Sequence, residues 1–366
     1  MSNRAIIPAA IALIPPCTAL AQDAIDPGTP DQTQSIEAIA QPDAWSPRHM
    51  TMRDFTLYWE NDGTLVNTID DTDRYYTNGA GIELSFDPNF TPSIRDRLAP
   101  AGEWDDPRFG VGVAIKQRIF TGIDISDPNP PLDDHPYAGY LYLAFSLQRA
   151  DETKHDHFEI DLGLIGPGSG GETFQKFIHD VFPDEINPQG WDEQLDNEPT
   201  INFNFERTWK SKPANIAGVQ MEMLPAAGFD LGTVSIKARA KMTLRAGMNL
   251  PSDFGPANLL GHKDHTVPAG ASVFAEDGTE HNWSFYLYTT AQVEAIAHDI
   301  ILDGNVFETS RSVDSEPFVA LATIGTVVRY KNCYLGYAQN FQSKTFDNQV
   351  DGQTFGTLVL GASFNF

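Results

Sequence analysis

His179 and Gln175 stand four residues apart in the stretch 166–198, GPGSGGETFQKFIHDVFPDEINPQGWDEQLDNE. On a helix that spacing makes their side chains neighbours. A neutral histidine can take a proton from water as the water attacks a carbonyl. Earlier in the chain, Glu60-Asn61-Asp62-Gly63 through Asp70-Asp71-Thr72-Asp73 crowds acidic groups into a short segment, followed by Tyr75-Tyr76-Thr77-Asn78-Gly79. Calcium collects roughly six to eight oxygens from carboxylates, amides and carbonyls, so this composition suits a hard cation, although its spacing is not that of an EF-hand. A cation held beside a histidine that activates water is equipped for ester hydrolysis.

The histidine needs a helix to carry it. Ser169 and Glu172 have capping-box spacing, and Pro183 stops what they start. Phe174, Phe177, Ile178, Val181 and Phe182 fall on one side of the predicted helix; Glu172, Gln175, Lys176 and His179 fall on the other. Taken alone, this is an amphipathic helix with its apolar side on a core and His179 in solvent. Ser169 reads as a cap rather than a nucleophile, and no GxSxG elbow occurs.

The helix in turn needs a scaffold. Residues 1–21 read as a secretory signal peptide, with one arginine, a short apolar run and Ala19-Leu20-Ala21 as the cleavage site. Its removal would leave Cys333 as the lone cysteine and so no internal disulfide. Residues 22–50, rich in Pro, Asp, Gln and Ser, read as a flexible periplasmic lead-in. The net charge of -26 argues against a nucleic-acid partner.

From residue 51 to 366 the dominant pattern is alternation with period two. In 233–246, Val234, Ile236, Ala238, Ala240, Met242 and Leu244 oppose Ser235, Lys237, Arg239, Lys241, Thr243 and Arg245. In a membrane barrel the first set meets lipid and the second a polar lumen. About twelve such segments occur, near 53–60, 75–87, 108–120, 136–149, 155–166, 198–210, 215–226, 232–247, 283–297, 316–330, 332–343 and 354–366, the last ending on Phe366. The expected fold is all-β, a closed antiparallel transmembrane barrel in the bacterial outer membrane, with both termini in the periplasm. Strand parity then places 61–74, 121–135 and 167–197 outside, and the predicted helix in the third of these connections. The long inner connection 248–282 fits this count least well.

Several motifs together resemble the outer-membrane lipid A 3-O-deacylases: END at 60–62, TDRYYTNG at 72–79, HPYAGYLY at 135–142, GPGSGGETFQKFIH at 166–179 and GWDEQLDNEP at 190–199. The resemblance runs from about residue 53 to the end. It implies a twelve-stranded barrel that uses calcium to hydrolyse the ester of the 3'-acyloxyacyl chain of lipid A in the outer leaflet. By position it implies Asp62 as calcium ligand, Asn61 as a group that polarises the ester or binds the oxyanion, and Thr77, Gln175 and Glu185 as further site residues. His179 would be the general base. This chain departs from the pattern at Asp134-His135, where relatives often have Asp-Arg, and in having no Lys or Arg in 121–135. Lys116 and Arg118 stand in as candidate substrate contacts, with ordinary lumen-lining charge as the plainer reading. The expected partners are lipid A and the outer membrane, and the expected state is a monomer. Two alternatives stay open: an outer-membrane esterase or phospholipase acting on another lipid, and a non-enzymatic porin-like barrel.

Overall fold

The computed structural model describes residues 50–62, 74–181, 187–256 and 281–364. Thirteen strands follow in order: β1 (Thr51–Asn61), β2 (Tyr75–Asp87), β3 (Arg108–Thr121), β4 (Ala138–Ala150), β5 (Lys154–Ile165), β6 (Glu198–Trp209), β7 (Ala214–Ile216), β8 (Val219–Gly232), β9 (Ser235–Met248), β10 (Trp283–Asp299), β11 (Phe318–Tyr330), β12 (Cys333–Gln342) and β13 (Gln353–Ser363). Sequence neighbours pair antiparallel, except that β6 pairs β8 rather than β7, and β1 pairs β13. The sheet therefore closes through twelve strands, with three-residue β7 outside the ring as a hairpin partner of β8. Closure leaves no free edge within the ring, as a chain crossing hydrocarbon requires. Among the described residues no helix is long and apolar enough to cross a membrane.

The alternation sorts as expected for a barrel. On β9, Ile236, Met242 and Leu244 are exposed, whereas Arg239 and Arg245 are buried in the lumen. Inside, Arg239 meets Glu206 at 2.9 Å and Asp230 at 2.6 Å, Lys241 meets Glu206 at 2.6 Å, and Lys237 meets Glu294 at 3.1 Å. Each of these three cations has a carboxylate partner, as burial of charge demands.

One strand boundary differs from the expectation. The seventh barrel strand reaches Gly232, so the connection expected at 227–231 is the short turn at 233–234. Ala217 and Gly218, both at positive φ, make the β7–β8 turn earlier in the chain. Pro225, which lacks an N–H, lies just beyond the last β6–β8 pair, Thr208 with Ala226, so no ladder bond is lost there.

The long inner connection after β9 begins by folding into the lumen. Arg245 binds Glu222, Asp253 and, at 2.8 Å, the carbonyl of Pro251, while Lys210 Nζ donates to the carbonyl of Ser252 at 3.1 Å. Phe254 stacks on His155 with ring centroids 5.3 Å apart. Residues 257–280 lie outside the described residues, as do the signal peptide, the lead-in to residue 49, and Phe366.

Three short helices sit in connections: α1 (Pro92–Leu98), α2 (Gly171–Val181) and α3 (Ile300–Asp303). The helix predicted to carry His179 is α2, in the β5–β6 connection at the extracellular end.

Candidate active site

Strand register builds the site. On the lipid-facing side of β1–β4, Leu57, Ile82, Ile115 and Leu143 form one cross-strand row, and Trp59, Ala80, Gln117 and Leu141 the next. Asn61, Asn78, Ile119 and Gly139 form the row nearest the extracellular end. Successive rows are about 6.6 Å apart, two residues along a strand. Within two rows the wall changes from aliphatic side chains to two asparagines and a glycine.

A β-bulge between Tyr76 and Asn78 aims the key residues. Tyr76 points inward, its hydroxyl donating to Glu60 at 2.7 Å. Past the bulge, Thr77 bonds Thr121 hydroxyl to hydroxyl at 2.7 Å, and Asn78 pairs with lipid-facing Ile119. The Thr77 carbonyl accepts from Asn61 Nδ2 at 3.2 Å and from the Asp62 amide at 3.3 Å. Asp62 accepts from the Arg74 amide at 2.8 Å. Asn61 and Asp62 are thus locked into one unit with Thr77, fifteen or more residues later in the sequence.

The helix α2 packs on the outside of the β3–β4 wall. The seat is a pair of glycines: a Cβ on Gly139 would come within 2.9 Å of the Gly171 Cα. Three residues on, Phe174 packs against the Ile119, Tyr137 and Trp191 cluster, so the helix advances from β4 over β3 in the direction of β2. Gln175 is 1% exposed and His179 7% exposed, whereas Phe177 is 61% exposed. His179 is therefore not in solvent: the stripe Gly171, Gln175 and His179 faces the barrel, Phe174 and Ile178 are half-buried beside it, and Phe177 faces out. The medium explains the exposed Phe177, since α2 lies on the lipid-facing side of the β3–β4 wall and its outward side meets the membrane rather than water.

The predicted capping box also does not form. Ser169 ends a 3-10 turn, Pro167–Ser169, where its hydroxyl donates to the Gly166 carbonyl at 2.6 Å, and Glu172 pairs with Lys176 at 2.5 Å. With Gly170 at positive φ and its carbonyl accepting from the Phe174 amide at 3.0 Å, the chain enters α2 without a serine cap.

A short 3-10 helix, Gly190–Glu193, brings Trp191 against α2, where its indole N–H donates to Gln175 Oε1 at 3.0 Å. Lys116 and Arg118 lie elsewhere. Lys116 faces the lumen, paired with Glu159 at 3.5 Å and lying over the Tyr142 ring, and Arg118 lies over the Tyr76 and Phe120 rings. The plainer reading of these two as lumen charge is the one the structure supports, because the parity of β3 turns even positions inward. His135 is also structural: buried, stacked on Phe120 at 5.8 Å, with Nδ1 bonded to the Pro136 carbonyl at 2.8 Å. Burial pushes its imidazole down to about 4. Glu185 and the acidic positions 63–73 lie outside the described residues.

Sequence reasoning passed over Trp59, Asn78, Gln117 and Trp191. Gln117 carried a legible signal, a polar residue at lipid-facing parity among Val113, Ile115 and Ile119.

These features define a class: an outer-membrane β-barrel with a buried polar site on its lipid-facing wall, roofed by a loop helix. A family profile described as "Outer membrane protein LpxR" matches residues 16–364. The chain belongs to the LpxR family. Among solved structures it is similar to LpxR from Salmonella typhimurium, at 15% identity and a TM-score of 0.68, covering 85% of this chain and 100% of that one. The transport unit of the autotransporter AIDA-I from Escherichia coli matches at 8% identity and a TM-score of 0.40, over 89% of this chain and 93% of that one. A search of curated proteins finds no match.

Proposed function

We propose that this barrel is a lipid A 3-O-deacylase of the outer leaflet, with His179 as the general base that takes a proton from the attacking water. The observation that carries the reading is the burial of His179 and Gln175 against the lipid-facing wall that also presents Asn61 and Asn78. An ester in the outer leaflet reaches that wall from the membrane, without entering the lumen. Gln175 and Asn61 supply amide donors for the ester oxygen, whose developing charge such donors stabilise. Thr77 holds Asn61 and Asp62 in place through its carbonyl. The exposed Phe177 extends the apolar surface on which an acyl chain can lie.

The donors here suit a hard cation: the Asp62 carboxylate, the Thr77 carbonyl and Asn78 Oδ1, a buried oxygen without a protein partner. No group of three His, Cys, Asp or Glu able to hold a metal occurs among the described residues, so carbonyl and amide oxygens would have to join Asp62. Calcium held there would supply positive charge next to the ester oxygen.

Mass spectrometry of lipid A from cells expressing the chain tests the reading, with and without chelator. Loss of the 3'-acyloxyacyl chain only when calcium is present is the expected result; an unchanged acylation pattern overturns it. A second reading, an esterase on another lipid, is motivated by the connection 122–137, which carries no Lys or Arg to meet lipid A phosphates. Hydrolysis of a glycerophospholipid in preference to lipid A would establish it.

A further inference from the structure

The lipid-facing wall beneath α2 holds a concentration of unsatisfied donors. Asn78 is 2% exposed, yet neither of its amide atoms has a protein partner. Gln117 Nε2, Trp59 Nε1 and Gln175 Nε2 are likewise buried without partners. Unpaired buried polar groups each cost about 1–3 kcal/mol, so four on one patch call for a ligand that satisfies them.

Register places them together. Trp59 and Gln117 flank Ala80 in one row, and Asn78 stands directly above Ala80 on β2. Diagonal neighbours of this kind lie about 7–8 Å apart, within reach of long side chains. Small Ala80 thus floors a pit ringed by donors. Gln175 is carried on the same outer wall by α2, which packs on β3 and β4 and sets Phe174 against the cluster containing Ile119, the cross-strand partner of Asn78. The orientation of its amide is fixed by chemistry. An indole N–H only donates, so Oε1 must turn to Trp191, leaving the Nε2 hydrogens for the pit.

We propose that Trp59, Asn78, Gln117 and Gln175 form a neutral donor cradle that grips the carbonyl oxygens of acyl esters entering from the membrane, with Trp191 as the positioning residue that aims Gln175. Four uncharged donors suit an uncharged acceptor such as an acyl carbonyl, with no cationic side chain among them to favour a phosphate. The inference rests on the reading of the site as an ester-binding one and adds its grip on substrate, in which Trp59 and Gln117 join Gln175, and Asn78 gives its Nδ2 hydrogens while its Oδ1 stays free for the cation.

The test compares amphiphiles that differ only in the carbonyl. Binding of a short diacyl phosphatidylcholine and of its dialkyl ether analogue is measured on the full chain in the His179→Ala background, by shifts of side-chain amide resonances. The ester lipid is expected to bind at least tenfold more tightly than the ether. Asn78→Leu and Gln117→Met, which keep bulk and remove donors, should each shrink that ratio to within threefold. Both should unfold at the same or higher urea concentration than the parent, because they delete an unpaired buried amide; a structural role would lower it. Trp191→Phe should reduce the ratio in the parent and have no further effect once Gln175→Ala is present. Equal binding of ester and ether lipids, or variants that leave the ratio intact, overturns the cradle. Ester preference without lipid A hydrolysis keeps the cradle and sinks the lipid A reading. Lipid A hydrolysis without ester preference does the reverse.

Discussion

At the residue scale, burial and partners decide what each polar group can do. His179 and Asp62 are buried at one rim, and the proposed mechanism makes both indispensable. His179→Ala and Asp62→Ala should each lower the deacylation rate by a hundredfold or more, while the purified barrel keeps its heat-modifiable migration on gels. Activity at wild-type level in either variant would refute the assigned roles. His135 gives a pH prediction of another kind. Its imidazole titrates at about 4 in the folded chain against an ordinary 6.5, because burial disfavours the cation. The unfolded chain therefore binds more protons between those values. The contribution of this loop to stability is complete above about pH 6.5 and declines as pH falls toward 4. An NMR titration of His135 should show its midpoint near 4, and a midpoint near 6.5 would contradict the buried stack on Phe120.

At the scale of elements, the pairing of α2 with the wall depends on two glycines without side chains. Any Cβ at Gly139 meets the Gly171 backbone, which cannot move without moving the helix. Gly139→Val should therefore displace α2 and reduce deacylation by at least tenfold while leaving barrel folding unaffected. Circular dichroism and heat-modifiability would confirm the barrel, and lipid A mass spectrometry the loss. Undiminished activity would show that the site does not depend on this seat. The strands and their order were legible from alternation, because lipid and lumen impose opposite demands at every second residue. Which way α2 faces was not. Its amphipathic pattern names two sides, but only the neighbours decide which residues are covered, and here Gly171, Gln175 and His179 turn to the wall while Phe174 packs on Ile119 and Trp191.

At the scale of the molecule, the lumen is filled by charge rather than open. Arg245 is fully buried and joins Glu222 on β8 to Asp253 in the inward-folded segment after β9. Arg245→Met would strand two buried carboxylates, a change that typically costs about 3–5 kcal/mol. A lower urea midpoint by that amount is expected, together with ion conductance in planar bilayers that the parent lacks. Steady conductance by the parent would instead support a porin-like barrel. The paired charge in the described lumen and a site on the wall both fit the proposed function, in which substrate reaches the protein from the lipid side.

The sequence by itself determined the barrel, its twelve strands, its inward charges and the helix bearing Gln175 and His179. These follow from local period and from the chemistry of two media, both written residue by residue. Only the tertiary structure decided that Asn61, Asp62 and Thr77 share one carbonyl, that Lys116 and Arg118 belong to the lumen, and that α2 turns Gln175 and His179 to the wall. It alone brought Asn78, Gln117 and Trp191 into the site. Those facts depend on register between strands and on one bulge, where a shift of a single residue exchanges lipid for lumen, and no local pattern records that choice.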